Sequence, residues 1–85
     1  MEWIIVSFRS RAHTVKFSEL LNNNGITNQI VNTPKEAGVG CGLSIKISKI
    51  YFNVVKKAVF KVNLNSFAGF FSVKQFAGQT IVKSI

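Results

Sequence analysis

The order of apolar patterns along this 85-residue chain predicts a single α+β domain built as strand, helix, strand, strand, helix, strand. Two segments have apolar residues at helical spacing, and the segments around them are short, apolar and rich in β-branched residues. The chain is long enough for one hydrophobic core and too short for two. The right-handed crossover rule then favours a ferredoxin-like βαββαβ fold, in which an antiparallel sheet carries two helices on one face.

The first half of the chain carries three local signals in sequence. The apolar run from Trp3 to Phe8 predicts a central strand that is covered on both faces. Ser10 is placed to cap a helix over residues 11–24, and Gly25 stands where a left-handed residue ends a helix. A short second strand is predicted over residues 26–31.

The middle of the chain combines a capping signal with a glycine-rich loop. Thr33 as N-cap, Pro34 at the first helical position and Glu36 at the third predict one helical turn. Three glycines within residues 38–42 then exclude a longer helix, so we predict a loop there. Strict alternation over residues 43–47 predicts a half-buried strand.

The second helix is predicted from about Lys49 to Val62, followed by a strand over residues 67–73. Its apolar face would consist of Tyr51, Val54, Val55, Ala58, Val59 and Val62. We therefore assign residues 1–73 to the domain and treat residues 74–85 as a C-terminal extension, which is either an edge strand or a flexible tail.

The charge balance and the single cysteine bear on partners and location. Eleven Lys and Arg face three Glu, so the formal net charge is +8. Such a charge attracts acidic proteins and nucleic acids. The alternative is that the charge serves only the solubility of the protein. A lone cysteine forms no internal disulfide, and the sequence contains neither a secretory signal nor an apolar stretch that spans a bilayer. We expect a cytoplasmic protein that does not bind membranes.

Cys41 is the strongest candidate for chemistry. It lies in the glycine-rich loop, where Gly40 and Gly42 allow backbone N–H groups to converge on an anion, and Lys35 and Lys46 are close in sequence. Positive charge and N–H groups lower the pKa of a thiol and so favour the reactive thiolate. The alternative is that Cys41 is a small buried apolar residue, as many unpaired cysteines are.

Other kinds of site have weaker support. His13 starts the apolar face of the first helix; the predicted topology brings this helix start and the start of the third strand to one sheet edge, so His13 is a candidate partner for the thiol. No zinc-type ligand cluster, Ser-His-Asp set or phosphate-loop motif is present. The expected outward side chains of the third strand, Ser44 and Lys46, are not aromatic, which argues against an RNA-recognition sheet.

The segment from Thr33 to Glu36, followed by Cys41-Gly42-Leu43, resembles the hallmark of the selenium/sulfur carrier protein-like family. The helix start Phe8-Arg9-Ser10-Arg11-Ala12-His13 and the helix end at Gly25 are also similar to that family. The resemblance extends from about residue 3 to residue 73. Family members usually carry serines before the cysteine, where this chain has Gly38, Val39 and Gly40.

By that resemblance, Cys41 would hold sulfur or selenium as a persulfide or selenosulfide, for transfer between a donor protein and an acceptor protein. Thr33, Pro34 and Glu36 would shape its loop, and His13 would match the family's histidine at the helix start. The resemblance implies a carrier rather than a stand-alone enzyme. We expect no cofactor and, from the lack of a ligand cluster in the sequence, no metal.

Two other functions stay open from the sequence. In the first, the chain is a basic binding module for nucleic acid or an acidic protein, and Cys41 is structural. In the second, an exposed sheet face that carries Trp3, Phe70 or Phe71 forms a homodimer, so the sequence leaves monomer and homodimer as alternatives.

Overall fold

A computed structural model describes residues 1–38 and 42–85, which form a five-stranded antiparallel sheet with two helices on one face. The strands are β1 (Glu2–Phe8), β2 (Gln29–Asn32), β3 (Leu43–Ile47), β4 (Phe67–Phe76) and β5 (Gln79–Ser84), and the helices are α1 (Arg11–Asn23) and α2 (Phe52–Val62). The strand order is β2-β3-β1-β4-β5. The predicted α+β fold is confirmed. The order of the first four strands is consistent with a ferredoxin-like arrangement, and β5 is added beyond β4.

Strand β1 lies at the centre of the sheet, between β3 and β4, and all of its residues from Ile4 to Phe8 are buried. Ile4, Val6 and Phe8 face the helices and belong to the main core. Ile5 belongs to a second apolar cluster on the opposite face. Because successive side chains point to opposite faces, this pattern means that the central strand is covered on both sides, as its apolar run predicts.

Helix α1 begins and ends as the sequence predicts. The Ser10 hydroxyl accepts a hydrogen bond from the His13 backbone N–H at 3.2 Å. At the other end, the N–H of Ile26 donates to the carbonyl of Leu21 at 2.9 Å, and Gly25 has a φ of 71°. Together with the bond from the Gly25 N–H to the Asn22 carbonyl at 3.1 Å, this bond forms a Schellman-type end, which satisfies carbonyls that the helix leaves free.

Helix α2 presents a wider apolar face than the sheet covers. It follows a 3-10 turn over Lys49–Tyr51, and of its residues only Val55 and Val59 are fully buried. Val54 is 54% exposed and Val62 is 37% exposed, although the periodicity places both on the apolar face. The predicted stripe is therefore correct as a pattern, but it overstates what the core buries.

The C-terminal residues continue the sheet. Strand β4 runs three residues past the predicted end at Val73, and β5 pairs with it from Phe76 opposite Gln79 to Phe71 opposite Ser84. Ala77 and Gly78 form the connecting turn with φ values of 51° and 78°. Of the two alternatives for residues 74–85, the structure shows an edge strand.

The face of the sheet opposite the helices is also covered, in this case by single side chains from several short segments. Ile5, Phe71 and Val73 form a cluster there, against which Trp3, Val31, Ala37 and Val82 pack. Phe70, which is 5% exposed, belongs to the main core on the helix side, and Phe71 is 7% exposed. Phe70 and Phe71 therefore do not form an exposed dimer face, because both side chains are buried within the chain. Trp3, the third residue of that hypothesis, is half-buried, and the homodimer itself stays a prediction.

Replacing Phe17 tests the main core. Phe17 is 1% exposed, and its ring centroid lies 5.3 Å from that of Phe8. We expect Phe17→Ala to lower the free energy of unfolding by about 3–5 kcal/mol, because the cavity adds to the lost burial. Phe60, which is 64% exposed, provides the matched control, and Phe60→Ala should change stability by less than about 0.5 kcal/mol. Urea unfolding followed by circular dichroism measures both, and equal losses would contradict this assignment of the core.

Candidate functional site

The loop between β2 and β3 has a fixed base. Asn32 pairs with Leu43 at the end of the two strands. One residue further, the Thr33 N–H donates a hydrogen bond to the Gly42 carbonyl at 2.9 Å. Gly40 and Cys41, two residues on which the sequence prediction depends, lie outside the described residues. Cys41 is nevertheless bonded to Gly42, so one neighbour of the candidate cysteine belongs to this hydrogen-bonded base.

The predicted helical turn is present in the first part of this loop, but its cap differs from the prediction. A 3-10 turn spans Lys35–Ala37, with Pro34 rather than Thr33 at the N-cap position and no side-chain cap. The Thr33 hydroxyl instead lies 2.6 Å from the hydroxyl of Ser44 on β3. The predicted Thr33 cap is therefore wrong, because strand pairing places a better partner beside it than the backbone of the turn.

Three hydroxyl groups form a chain beneath this loop. The Ser7 Oγ lies 2.8 Å from the Ser44 Oγ, which in turn lies 2.6 Å from the Thr33 Oγ1. Ser7 and Ser44 have no exposed surface, and they face each other because they are register partners on β1 and β3. We call Ser7, Ser44 and Thr33 the hydroxyl chain.

The direction of the hydrogen bonds in the hydroxyl chain follows from burial. Within residues 1–38 and 42–85, the Ser7 side chain has Ser44 as its one hydrogen-bond partner, so its proton is satisfied only when Ser7 donates to Ser44. Ser44 then donates to Thr33. Thr33 is half-buried at the base of the loop, and with this direction its own hydroxyl proton has no acceptor among residues 1–38 and 42–85.

Two glycines frame the segment that holds Cys41. Gly38 has a φ of 63° and Gly42 a φ of 94°, conformations in which an L-residue with a Cβ is strained. The loop thus leaves the 3-10 turn and enters β3 through backbone geometries that favour glycine. The sequence prediction of a glycine-dependent loop agrees with both positions.

The charged residues predicted near the cysteine lie in different surroundings. Lys35 and Glu36 are exposed on the 3-10 turn. Lys46 lies further along β3, and its Nζ is 4.3 Å from the centroid of the Trp3 ring, a cation–π contact. Lys46 is thus held by Trp3, while Lys35 has its side chain in solvent beside the loop.

His13 connects α1 with the segment before β4. Its Nδ1 lies 2.5 Å from the Ser66 hydroxyl, and the Ser66 carbonyl accepts a bond from the Arg9 N–H at 2.7 Å. The start of α1 and the start of β3 do share one sheet edge, since Ser7 pairs with Ser44. Among the described residues, His13 forms hydrogen bonds with Ser10 and Ser66, and a bond from His13 to Cys41 stays a prediction.

Most of the positive charge on the described part of the chain has no acidic partner. There, ion pairs join only Glu2 with Lys49 at 2.7 Å and with Lys74 at 3.8 Å. The hydrogen bond from Lys49 lowers the pKa of Glu2 from its usual value. No group of three or more metal-ligating side chains occurs among the described residues, and no helix there is long and apolar enough to cross a membrane.

Ser7 and Ser44 are the site residues that sequence reasoning missed. Ser7 interrupts the apolar run of β1, and Ser44 alternates with apolar residues in a way that indicates an outward, solvated position. A polar residue inside an otherwise buried strand was the available signal for Ser7, since buried hydroxyls require a partner. The partner itself depends on strand register, which the sequence does not give.

A double-mutant cycle tests the hydroxyl chain. We expect Ser44→Ala to lower the free energy of unfolding by about 1–3 kcal/mol, because it leaves the buried Ser7 hydroxyl without a partner. The double variant Ser7→Ala/Ser44→Ala should lose less than the sum of the two single variants, since no buried hydroxyl is then orphaned. Urea unfolding measures the cycle. Strict additivity would show that the two hydroxyls do not interact.

Comparison with known proteins supports the family that the loop motif suggests. The family model described as "Putative Se/S carrier protein-like" matches residues 3–67, which is 65 of the 85 residues. Neither the search of curated proteins nor the search of solved structures found a match. The matched range includes the motif over residues 33–36, the 3-10 turn Lys35–Ala37 and β3. The chain therefore belongs to the Se/S carrier protein-like family.

Proposed function

We propose that this protein is a carrier that holds a sulfur or selenium atom on Cys41 and transfers it between partner proteins. The observation that carries the proposal is the family match over residues 3–67, which spans the chain's single cysteine. The family name gives the class of cargo. The assignment to Cys41 rests on chemistry, because a thiolate is the side chain in this sequence that accepts a sulfane sulfur atom.

The transfer step requires no external oxidant, because it exchanges one S–S bond for another. The Cys41 thiolate attacks the terminal sulfur of a persulfide on the donor protein, a new S–S bond forms on Cys41, and the donor's S–S bond breaks. The donor cysteine leaves as a thiolate with the bonding electron pair. The reverse reaction with an acceptor thiolate unloads the carrier, so each step exchanges one S–S bond for another. Selenium would move through S–Se bonds by the same exchange.

The base of the loop supports this role. The Thr33–Gly42 hydrogen bond fixes the backbone beside Cys41, and the hydroxyl chain leaves the Thr33 proton for an acceptor. We propose that the Thr33 hydroxyl donates to the anionic sulfur. This donor would replace the serines that family members usually carry before the cysteine, and a donated hydrogen bond favours the charged form of a thiol.

The proposed partners are a donor protein and an acceptor protein. The uncompensated positive charge of the surface speeds encounter with acidic proteins, and exposed Lys35 beside the loop is the residue we propose for docking there. Lys46 would contribute less, since Trp3 already engages it.

Mass spectrometry tests the carrier directly. After incubation with a cysteine desulfurase and cysteine, we expect the intact protein to gain the mass of one sulfur atom, and a thiol reductant should remove it. Cys41→Ser should gain nothing, because the chain has no second cysteine. No adduct from any persulfide or selenosulfide donor, together with salt-dependent RNA or DNA binding that Cys41→Ser leaves unchanged, would favour a basic binding module instead.

A second measurement tests the proposed role of Thr33. We expect Thr33→Val to slow alkylation of Cys41 by iodoacetamide at pH 7.5 by about three- to tenfold, because losing the hydroxyl donor raises the pKa of the thiol. Thr33→Ser keeps the hydroxyl and should react at nearly the wild-type rate. Equal rates for Thr33→Val and wild type across the pH range would contradict a bond from Thr33 to the sulfur.

A further inference from the structure

The two helices leave an apolar groove between them on the face of the molecule opposite the loop base. The groove has a volume of about 740 Å³. Its walls include Leu20 and Leu21 of α1, Ile26 after that helix, and Val54, Ala58 and Val62 of α2. We call this the inter-helix groove.

The inter-helix groove continues along α1 into a second depression. That depression has a volume of about 460 Å³, is bounded by Lys16 and Leu64, and shares Leu20 and Val62 with the first. Together they follow α1 from Lys16 to Asn24, which is about 12 Å at the rise of an α-helix. An open trough of this length suits a rod-like occupant better than a compact small molecule.

The rim of the inter-helix groove offers apolar surface that the fold leaves uncovered. Val54 is 54% exposed and Val62 is 37% exposed, and both lie at positions of α2 where the helical period points toward the core. Covering this surface would gain free energy in proportion to the apolar area removed from water. Lys61 also lines this groove.

The charges around the groove select the kind of occupant. The groove and its continuation are lined by two cations, Lys16 and Lys61, and by one acid, Glu19. The two helices carry three more cations outside this lining, which are Arg11, Lys56 and Lys57. In the part of the chain that the structure describes, none of these five cations forms an ion pair. A second copy of this chain would bring the same positive surface, and a nucleic acid would leave the apolar walls uncovered. An occupant with an apolar stripe and acidic flanks matches both features.

We propose that the inter-helix groove binds an acidic amphipathic helix of a partner protein. Apolar side chains of that helix, spaced i, i+3/i+4 and i+7, would enter between α1 and α2, and its acidic residues would face Lys16 and Lys61. The groove lies on the helix side of the sheet, whereas the hydroxyl chain lies on the other side. The site thus holds a partner without covering the loop base, and it does not depend on sulfur transfer.

A designed peptide serves as the probe. It has about 20 residues, long enough for helicity in isolation, with Leu along one stripe and Glu at most other positions. Fluorescence anisotropy of the labelled peptide should show saturable binding to the full chain. We expect Val54→Asp to weaken that binding at least about tenfold, because the substitution places a charge on the apolar wall. Phe60→Asp adds the same charge to the same helix away from the groove and should weaken it less than about twofold.

Two further peptides separate this proposal from non-specific attraction. One has the same composition with the Leu residues dispersed, and the other has Lys in place of Glu; both should bind at least about tenfold more weakly than the probe. Equal binding by the dispersed peptide would reduce the interaction to charge alone and overturn the proposal, as would equal binding by the basic peptide. Absence of saturable binding by the probe, or equal effects of the Val54 and Phe60 substitutions, would overturn it too. Sulfur loading of Cys41 is unaffected by any of these outcomes.

Discussion

The whole architecture depends on the burial of β1 on both of its faces. A strand in this position must be paired along both edges and covered above and below, because an unpaired backbone group or an uncovered apolar side chain there is costly. Pairing with β3 and β4 satisfies the edges. The helices cover Ile4, Val6 and Phe8. On the opposite face, the 3-10 turn that ends at Ala37, together with Trp3 and parts of β4 and β5, covers Ile5. The loop that carries Cys41 therefore begins and ends in elements that the core itself requires.

Sequence reasoning succeeded where the signals are local. The Ser10 cap, the end of α1 at Gly25 and the double-sided apolar run of β1 each depend on residues within one turn or one strand. It failed where the outcome depends on a partner distant in sequence. Thr33 has the right type and spacing for a cap, but the β2–β3 register gives its hydroxyl to Ser44. One local feature was missed as well: the β4–β5 turn lacks the usual Asn-Gly signature, because Ala77 adopts the positive φ at its first position.

The same contrast between local signals and contacts distant in sequence holds for the candidate site. The glycine-dependent loop and the family were both predictable, since they are properties of a short motif, whereas the reactivity of Cys41 stays a prediction. The hydroxyl chain was not predictable, because a serine facing outward in a strand pattern is indistinguishable from a solvated one until another element covers it. Likewise, the apolar face of α2 was predicted, yet periodicity does not tell which of its members the sheet buries. Val54 and Val62 differ from Val55 and Val59 only in what lies opposite them.

The family match ends at residue 67, the first residue of β4. The sheet extends well past that limit. Strand β4 pairs with β1 along the whole of one side, from Glu2 opposite Lys74 to Phe8 opposite Phe67. A shortened protein that kept only the matched residues would leave the most apolar strand of the molecule with a bare row of N–H and C=O groups. Exposed edges of that kind recruit strands from other molecules, so such a fragment would tend to aggregate instead of folding as a smaller domain.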